Sequence, residues 1–198
     1  MAYDKSFYEM YADYLTEKSV RASHDFIFRQ FLEIAGSNLH VIDLGCGLGE
    51  YFQYGSFTRY VGVDKNNLGD GFRLIKEDYY DLDKVKDGLS LYLVVPNILV
   101  SLFSIECFYS VPDKYAFYER IFKEFPSIEF GLVSGFFYES KRNQETVGEA
   151  GGIVSHQTIE DPSLYISEVF TESRLHLKTP SKMFGPDVIE VWKIFIRR

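Results

Sequence analysis

The chain has 198 residues, 46% of them hydrophobic, with 21 lysines and arginines against 29 aspartates and glutamates for a net charge of −8. That length suits one domain whose core holds without disulfides or metal, and an acidic balance with no separate basic face argues against a nucleic-acid substrate, because such binding rests on neutralising phosphates. Two cysteines, Cys46 and Cys107, have neither the number nor the spacing of a disulfide framework or zinc site, and the charged stretch Met1 to Val20 lacks the apolar core of a signal peptide, so a reduced cytoplasm is expected.

In chain order, Asp4 to Thr16 places Phe7, Tyr8, Tyr11, Tyr14 and Leu15 at helical spacing, and Ser23 to Ile34 repeats the pattern before the stop at Gly36. Leu39 to Leu44 reads as a first strand, Tyr60 to Asp64 as a second, and Phe72 to Lys76 as a weaker third ending in Glu77-Asp78-Tyr79. Only a short helical turn fits between the first two, at Glu50 to Tyr54. Leu91 to Val111 is apolar but broken by Pro96, Asn97, several serines and Glu106, so it reads as two buried segments around a Pro-Asn turn and not as a membrane span. Its second half supplies a fourth strand, Ile98 to Phe103, followed by a helix, Asp113 to Phe125, and a fifth strand, Ile128 to Phe137. Tyr138 to Gln157 is a long polar loop rich in glycine. Asp161-Pro162 can start a helix through Glu172, although a strand also fits that stretch, and Leu175 to Lys178 with Val188 to Ile196 form a terminal strand pair. Alternating strands and helices of this kind predict a doubly wound α/β domain over residues 1–198, its sheet covered on both faces.

The run Val41-Ile42-Asp43-Leu44-Gly45-Cys46-Gly47-Leu48-Gly49 breaks from apolar residues into an acid and three alternate glycines. Glycines there let the backbone turn sharply and approach a ligand. The dinucleotide pattern G-x-G-x-x-G would need its last glycine at position 50, where Glu50 stands, which argues against a dinucleotide. Asp64 follows Asp43 by 21 positions, one strand-turn-helix-strand unit, so Asp43, Asp64 and Asp78 fall at successive strand ends on one sheet edge.

Through these motifs the chain resembles the class I S-adenosylmethionine-dependent methyltransferases, over roughly Leu39 to Phe137. The resemblance implies a Rossmann-like seven-stranded sheet of order 3-2-1-4-5-7-6, mostly parallel with Val188 to Ile196 antiparallel. It implies S-adenosylmethionine as cofactor and S-adenosylhomocysteine as product. Asp43, Gly45, Cys46, Gly47 and Gly49 would then run beneath the methionine part, Asp64 would meet the ribose, and Asp78 with Tyr79 the adenine, with Asp81 or Glu77 as alternatives to Asp78; Lys65, next to Asp64, is a further cofactor-binding candidate. Asn97 stands where the family often has an acid, leaving Ser101 and Leu102 as the fourth strand's neighbours of the methionine moiety. Residues 1–38 would cover the cofactor edge, Tyr11 foremost, against the alternative that the tyrosine stripe only packs on the sheet; residues 138–157 would form the substrate loop.

No catalytic residue is assigned. Among the histidines, His40 and His176 fit structural or exposed positions, while His156, Glu106 and Tyr138 are candidates for proton transfer near the substrate edge. Methyl transfer often needs only alignment of the nucleophile. The expected activity is methylation of a small, neutral or cationic molecule, with no nucleic-acid or membrane partner and no assigned oligomeric state; a protein methyltransferase or a non-catalytic cofactor-binding module of the same fold are the alternatives.

Overall fold

The computed structural model describes residues 13, 14, 16–49, 51–52, 57–66, 71–106, 114–138, 154–158, 165–177 and 188–198. The described strands are β1 (His40–Leu44), β2 (Arg59–Val63), β3 (Arg73–Ile75), β4 (Ile98–Leu102), β5 (Phe130–Tyr138), β6 (Val154–Thr158), β7 (Phe170–Leu177) and β8 (Val188–Arg197). They form one sheet on the path β3-β2-β1-β4-β5-β8-β7, with β6 added beside β5. The strands from β3 to β5 on that path are parallel, and β8 runs antiparallel to both β5 and β7. Leaving β6 aside, this is the seven-strand order and the antiparallel last strand that the resemblance implies.

Both faces of the sheet are covered. On one, α1 (Lys18–Ala35) packs Ile27, Phe28 and Phe31 against Val41, Val100, Leu132 and Trp192. On the other, α2 (Leu82–Leu91) and α3 (Lys114–Glu124) pack Leu82, Val85, Tyr118 and Phe122 against Ile42, Leu99, Val133 and Phe195. The central strands are therefore buried on both sides, which is why they read as largely apolar runs. Among the described residues no helix is long and apolar enough to cross a membrane.

Four local expectations change. The helix α2 was not foreseen, because only Leu82, Val85 and Leu89 form its buried stripe between charges; Asp81 caps it, accepting from the Lys84 amide at 3.3 Å. Its interior Gly88 permits close packing on β3, where a Cβ would lie 2.7 Å from Ile75 Cδ1. Next, Leu91 at the end of α2 and Leu93 and Val95 beyond it are not a buried segment: they are 84%, 81% and 67% exposed. The third change falls in the polar stretch 138–157, part of which is strand, since Val154–Thr158 pairs in parallel with the end of β5 and satisfies its backbone there. Finally, in the stretch Asp161 to Glu172 the described residues hold no helix: 165–169 are irregular apart from an isolated Ile166–Thr171 bridge, and strand β7 begins at Phe170.

Asn97 lies at the amino-terminal edge. Its side chain accepts from the His40 amide and donates to the Asn38 carbonyl, both at 2.8 Å, so it splices β4 to β1 far from the edge where Asp64 stands.

Glu106, beyond the end of β4, joins three elements. Its Oε2 takes Lys114 Nζ at 2.8 Å and Lys193 Nζ at 2.7 Å, and its Oε1 accepts from the Tyr118 hydroxyl at 2.8 Å. Burial alone would raise its pKa, but the two ammonium groups outweigh it and hold the carboxyl down at about 2. Such a group is a poor proton acceptor at neutral pH, which removes Glu106 as a candidate base. Its depressed pKa stabilises the native state fully above the ordinary glutamate pKa, and that stabilisation is lost as pH falls toward about 2. Glu106→Gln is expected to lower stability by about 3–5 kcal/mol at neutral pH, since it strands buried lysine charge. Urea unfolding should show that difference shrinking between pH 5 and pH 3.

Candidate functional site

The apolar β1 delivers the chain to the carboxyl edge, where Gly45, Gly47 and Gly49 adopt φ of 75°, 54° and 75°. All three lie in the left-handed region that side chains disfavour. The Gly45 and Cys46 amides donate to the Val63 carbonyl at 2.8 and 3.3 Å, which ties the start of the turn to the end of β2. The Gly47 amide then donates to Asp64 Oδ2 at 3.0 Å, while Asp64 Oδ1 accepts from the Asn66 amide at 2.8 Å. Asp64 thereby holds both the glycine turn and the chain leaving β2. Burial raises its pKa, and the amides of Asn66 and Gly47 with the charge of Lys65 offset this only in part. Each carboxylate oxygen carries a further lone pair for a ligand hydroxyl.

The other wall of the turn is Ser104 and Tyr79. A Cβ on Gly45 would lie 1.9 Å from Ser104 Oγ and 3.2 Å from Tyr79 Cε1, so only a hydrogen fits. Ser104 Oγ donates to the Tyr79 hydroxyl at 3.2 Å. Tyr79 is thus brought to the turn, whereas Asp78 is half exposed, accepts from the Tyr80 amide and faces Lys65 Nζ at 3.9 Å. Asp43 is buried behind the turn and accepts from the Tyr60 hydroxyl at 2.5 Å. Cys46 is buried too, its small side chain packed where a Cβ on Gly62 would meet Sγ at 2.5 Å. Ser101 is fully buried and its hydroxyl donates to the Leu44 carbonyl at 2.9 Å, bracing β4 against β1; Leu102 belongs to the core under α1.

Sequence reasoning missed a second cluster at this edge. Glu190, opposite Phe136 near the end of β5, accepts from the Tyr14 hydroxyl, from Trp192 Nε1 at 3.3 Å and faces His24 Nε2 at 3.1 Å. The His24 ring stacks on Phe103 at 5.9 Å and lies 6.0 Å from Tyr51, so it sits between the segment after β4 and the segment after the glycine turn. Burial would raise the Glu190 pKa, but the bonds from His24, Tyr14 and Trp192 bring it below the ordinary value. Burial and the adjacent carboxylate push the Tyr14 hydroxyl pKa up. One signal was available: Glu190 is an acid inside a strand, Val188–Arg197, that must be buried on both faces. Ser104 gave no such signal. Tyr8 and Tyr11 lie outside the described residues, as do the side chains of Tyr138, His156 and His176.

No protein-family model and no curated protein matches the chain. Solved structures do match its fold. A SAM dependent methyltransferase from Archaeoglobus fulgidus aligns at TM-score 0.58 and 12% identity, over 98% of this chain and 100% of that one. The N-methyltransferase NodS from Bradyrhizobium japonicum WM9 aligns at TM-score 0.57 and 13% identity, over 92% and 98%. The magnesium protoporphyrin IX methyltransferase ChlM from Synechocystis PCC 6803, with bound SAH, aligns at 0.55 and 12%, over 98% and 95%. At these identities the likeness establishes the Rossmann-like methyltransferase fold over nearly the whole chain.

Gly45→Ala is expected to destabilise the chain twice over, by about 1–2 kcal/mol for a left-handed alanine and by about 1–3 kcal/mol for the overlap with Ser104. Adding Ser104→Gly should recover the second part alone, which thermal melts of the three proteins would read directly.

Proposed function

We propose that this chain is a cytoplasmic methyltransferase that binds S-adenosylmethionine along the carboxyl edge of its sheet, methylates a small molecule and releases S-adenosylhomocysteine. The observation that carries this reading is the cradle itself: three left-handed glycines in a turn clamped by the carboxylate at the next strand end. Matches of the whole chain to methyltransferase folds support it, and NodS and ChlM, whose names describe an N-methyltransferase and a porphyrin methyltransferase, support a small acceptor.

When bound, the cofactor supplies an electrophilic methyl group on a sulfonium. In this reading the backbone of Asp43 to Gly49 runs beneath its methionine part, with Ser101 and Leu102 bracing the adjoining strand end. Asp64 accepts the ribose hydroxyls with Lys65 beside it, and Tyr79 with Asp78 borders the adenine. Residues 1–38, Tyr11 among them, cover the edge, and residues 138–157 face the acceptor. The buried Glu190 orients the imidazole of His24 and ties down Tyr14, which keeps water from that side of the edge. In-line alignment of the acceptor atom is the main catalytic requirement.

S-adenosylmethionine and S-adenosylhomocysteine should each raise the melting temperature, while NAD should not, because a ligand that binds only the native state stabilises it. No shift with either would contradict the proposal. Asp64→Ala should weaken S-adenosylhomocysteine by about 1.5–3 kcal/mol, the worth of hydrogen bonds to a charged acceptor. Because the Asp64 pKa is raised, affinity should begin to fall at a pH above the ordinary aspartate range as the carboxylate protonates. Asp64→Asn should bind weakly and without that pH dependence, as titration calorimetry would show.

A further inference from the structure

Around the amino-terminal starts of β2 and β3, between aromatic rings of the α1 side and the turn that follows α2, lies a cavity of about 490 Å³, within the usual size range of small-ligand sites. It is lined by the rings of Phe52, Phe57, Tyr60 and Phe72 together with Arg59 and Arg73. Tyr60 is central, with Phe52 at 5.1 Å, Phe72 edge-on at 5.3 Å and Phe57 stacked at 5.7 Å. The arginines begin β2 and β3, and the turn after α2 holds them in place. Arg59 Nη1 donates to the Leu93 carbonyl at 2.5 Å, Leu93 itself being left-handed with φ 54°; Arg73 Nη1 donates to the Tyr92 carbonyl at 3.3 Å and lies over the Tyr92 ring at 5.7 Å. Among the described residues neither guanidinium has a carboxylate within ion-pair distance. Two such cations beside an aromatic cavity, on a chain of net charge −8, form a localised anion-attracting feature.

We propose that this cavity is a second ligand site, for a planar aromatic carboxylate whose ring lies among the phenylalanines and whose carboxylate meets the two guanidinium groups. The site is joined to the glycine turn by two contacts. The Tyr60 hydroxyl donates to Asp43 Oδ2, and the Phe72 ring lies against Gly49, where a Cβ would be 2.1 Å from Cε1. A ligand that fixes Tyr60 and Phe72 therefore fixes the turn, and it raises affinity for S-adenosylhomocysteine; this coupling, unlike the site itself, rests on the cofactor reading above.

The test is calorimetric titration of the full chain with 2-naphthoate and, as a neutral isostere, 2-naphthamide. Naphthoate should bind at least tenfold more tightly than naphthamide, and Arg59→Gln/Arg73→Gln should remove that preference. Equal binding of the two ligands, no binding of naphthoate, or unchanged naphthoate binding by the double variant would overturn the site, and the naphthamide comparison holds even if the double variant does not fold. Saturating naphthoate should then tighten S-adenosylhomocysteine by about fivefold in the wild type and not in Tyr60→Phe. Naphthoate binding with unchanged S-adenosylhomocysteine affinity would overturn the coupling, and absence of S-adenosylhomocysteine binding altogether would overturn the cofactor reading while leaving the naphthoate result to stand on its own.

Discussion

The carboxylate of Asp64 is the group on which the carboxyl edge depends. Burying it is costly unless hydrogen bonds compensate, and the compensation comes from two backbone amides, Gly47 before it in the chain and Asn66 after it. The Gly47 amide is available only because the turn passes through left-handed conformations, which is what the alternate glycines provide. Turn, acid and strand spacing are thus one device: β1 and β2 in parallel register bring Asp43 beside Gly62 and place Asp64 at the height of the turn.

Around that device the two faces of the sheet are locked by two buried carboxylates of opposite setting. Glu190 points to the α1 face, where it gathers His24, Tyr14 and Trp192; Glu106 points to the α3 face, where it gathers Lys114, Lys193 and Tyr118. Strand β8 serves both, because neighbouring side chains on a strand alternate between faces, Trp192 to one and Lys193 to the other. These networks give little net stability over apolar packing, but breaking either leaves a buried charge alone. Their effect is to fix the antiparallel strand against β4, α1 and α3 beside the carboxyl edge.

Much of this was legible in the sequence, and the reason is burial on both faces. Strands β1, β2 and β4 are buried on both faces, so residues 41–44, 60–63 and 98–102 stand out as largely apolar runs, and Gly45 and Asp64 mark the ends of β1 and β2. The helix α2 escaped notice because it buries only three residues and lies against the three-residue strand β3. Strand β6 escaped because Val154–Thr158 has a single apolar residue among polar ones, so no hydrophobic period marks it. In the site, the glycines and Asp64 were readable from spacing, whereas Ser104 and the Glu190 cluster were not, since they reach the edge from residues 14, 24, 104 and 190 through tertiary packing alone.

The central claim is that the Asp43 to Gly49 turn and Asp64 hold S-adenosylmethionine. A crystal structure of the chain grown with S-adenosylhomocysteine tests it most directly. The account predicts ribose hydroxyls within hydrogen-bond distance of the Asp64 carboxylate and the amino-acid end over Gly45 to Gly49. Density for the ligand elsewhere on the sheet, or a ribose that makes no contact with Asp64, would contradict it.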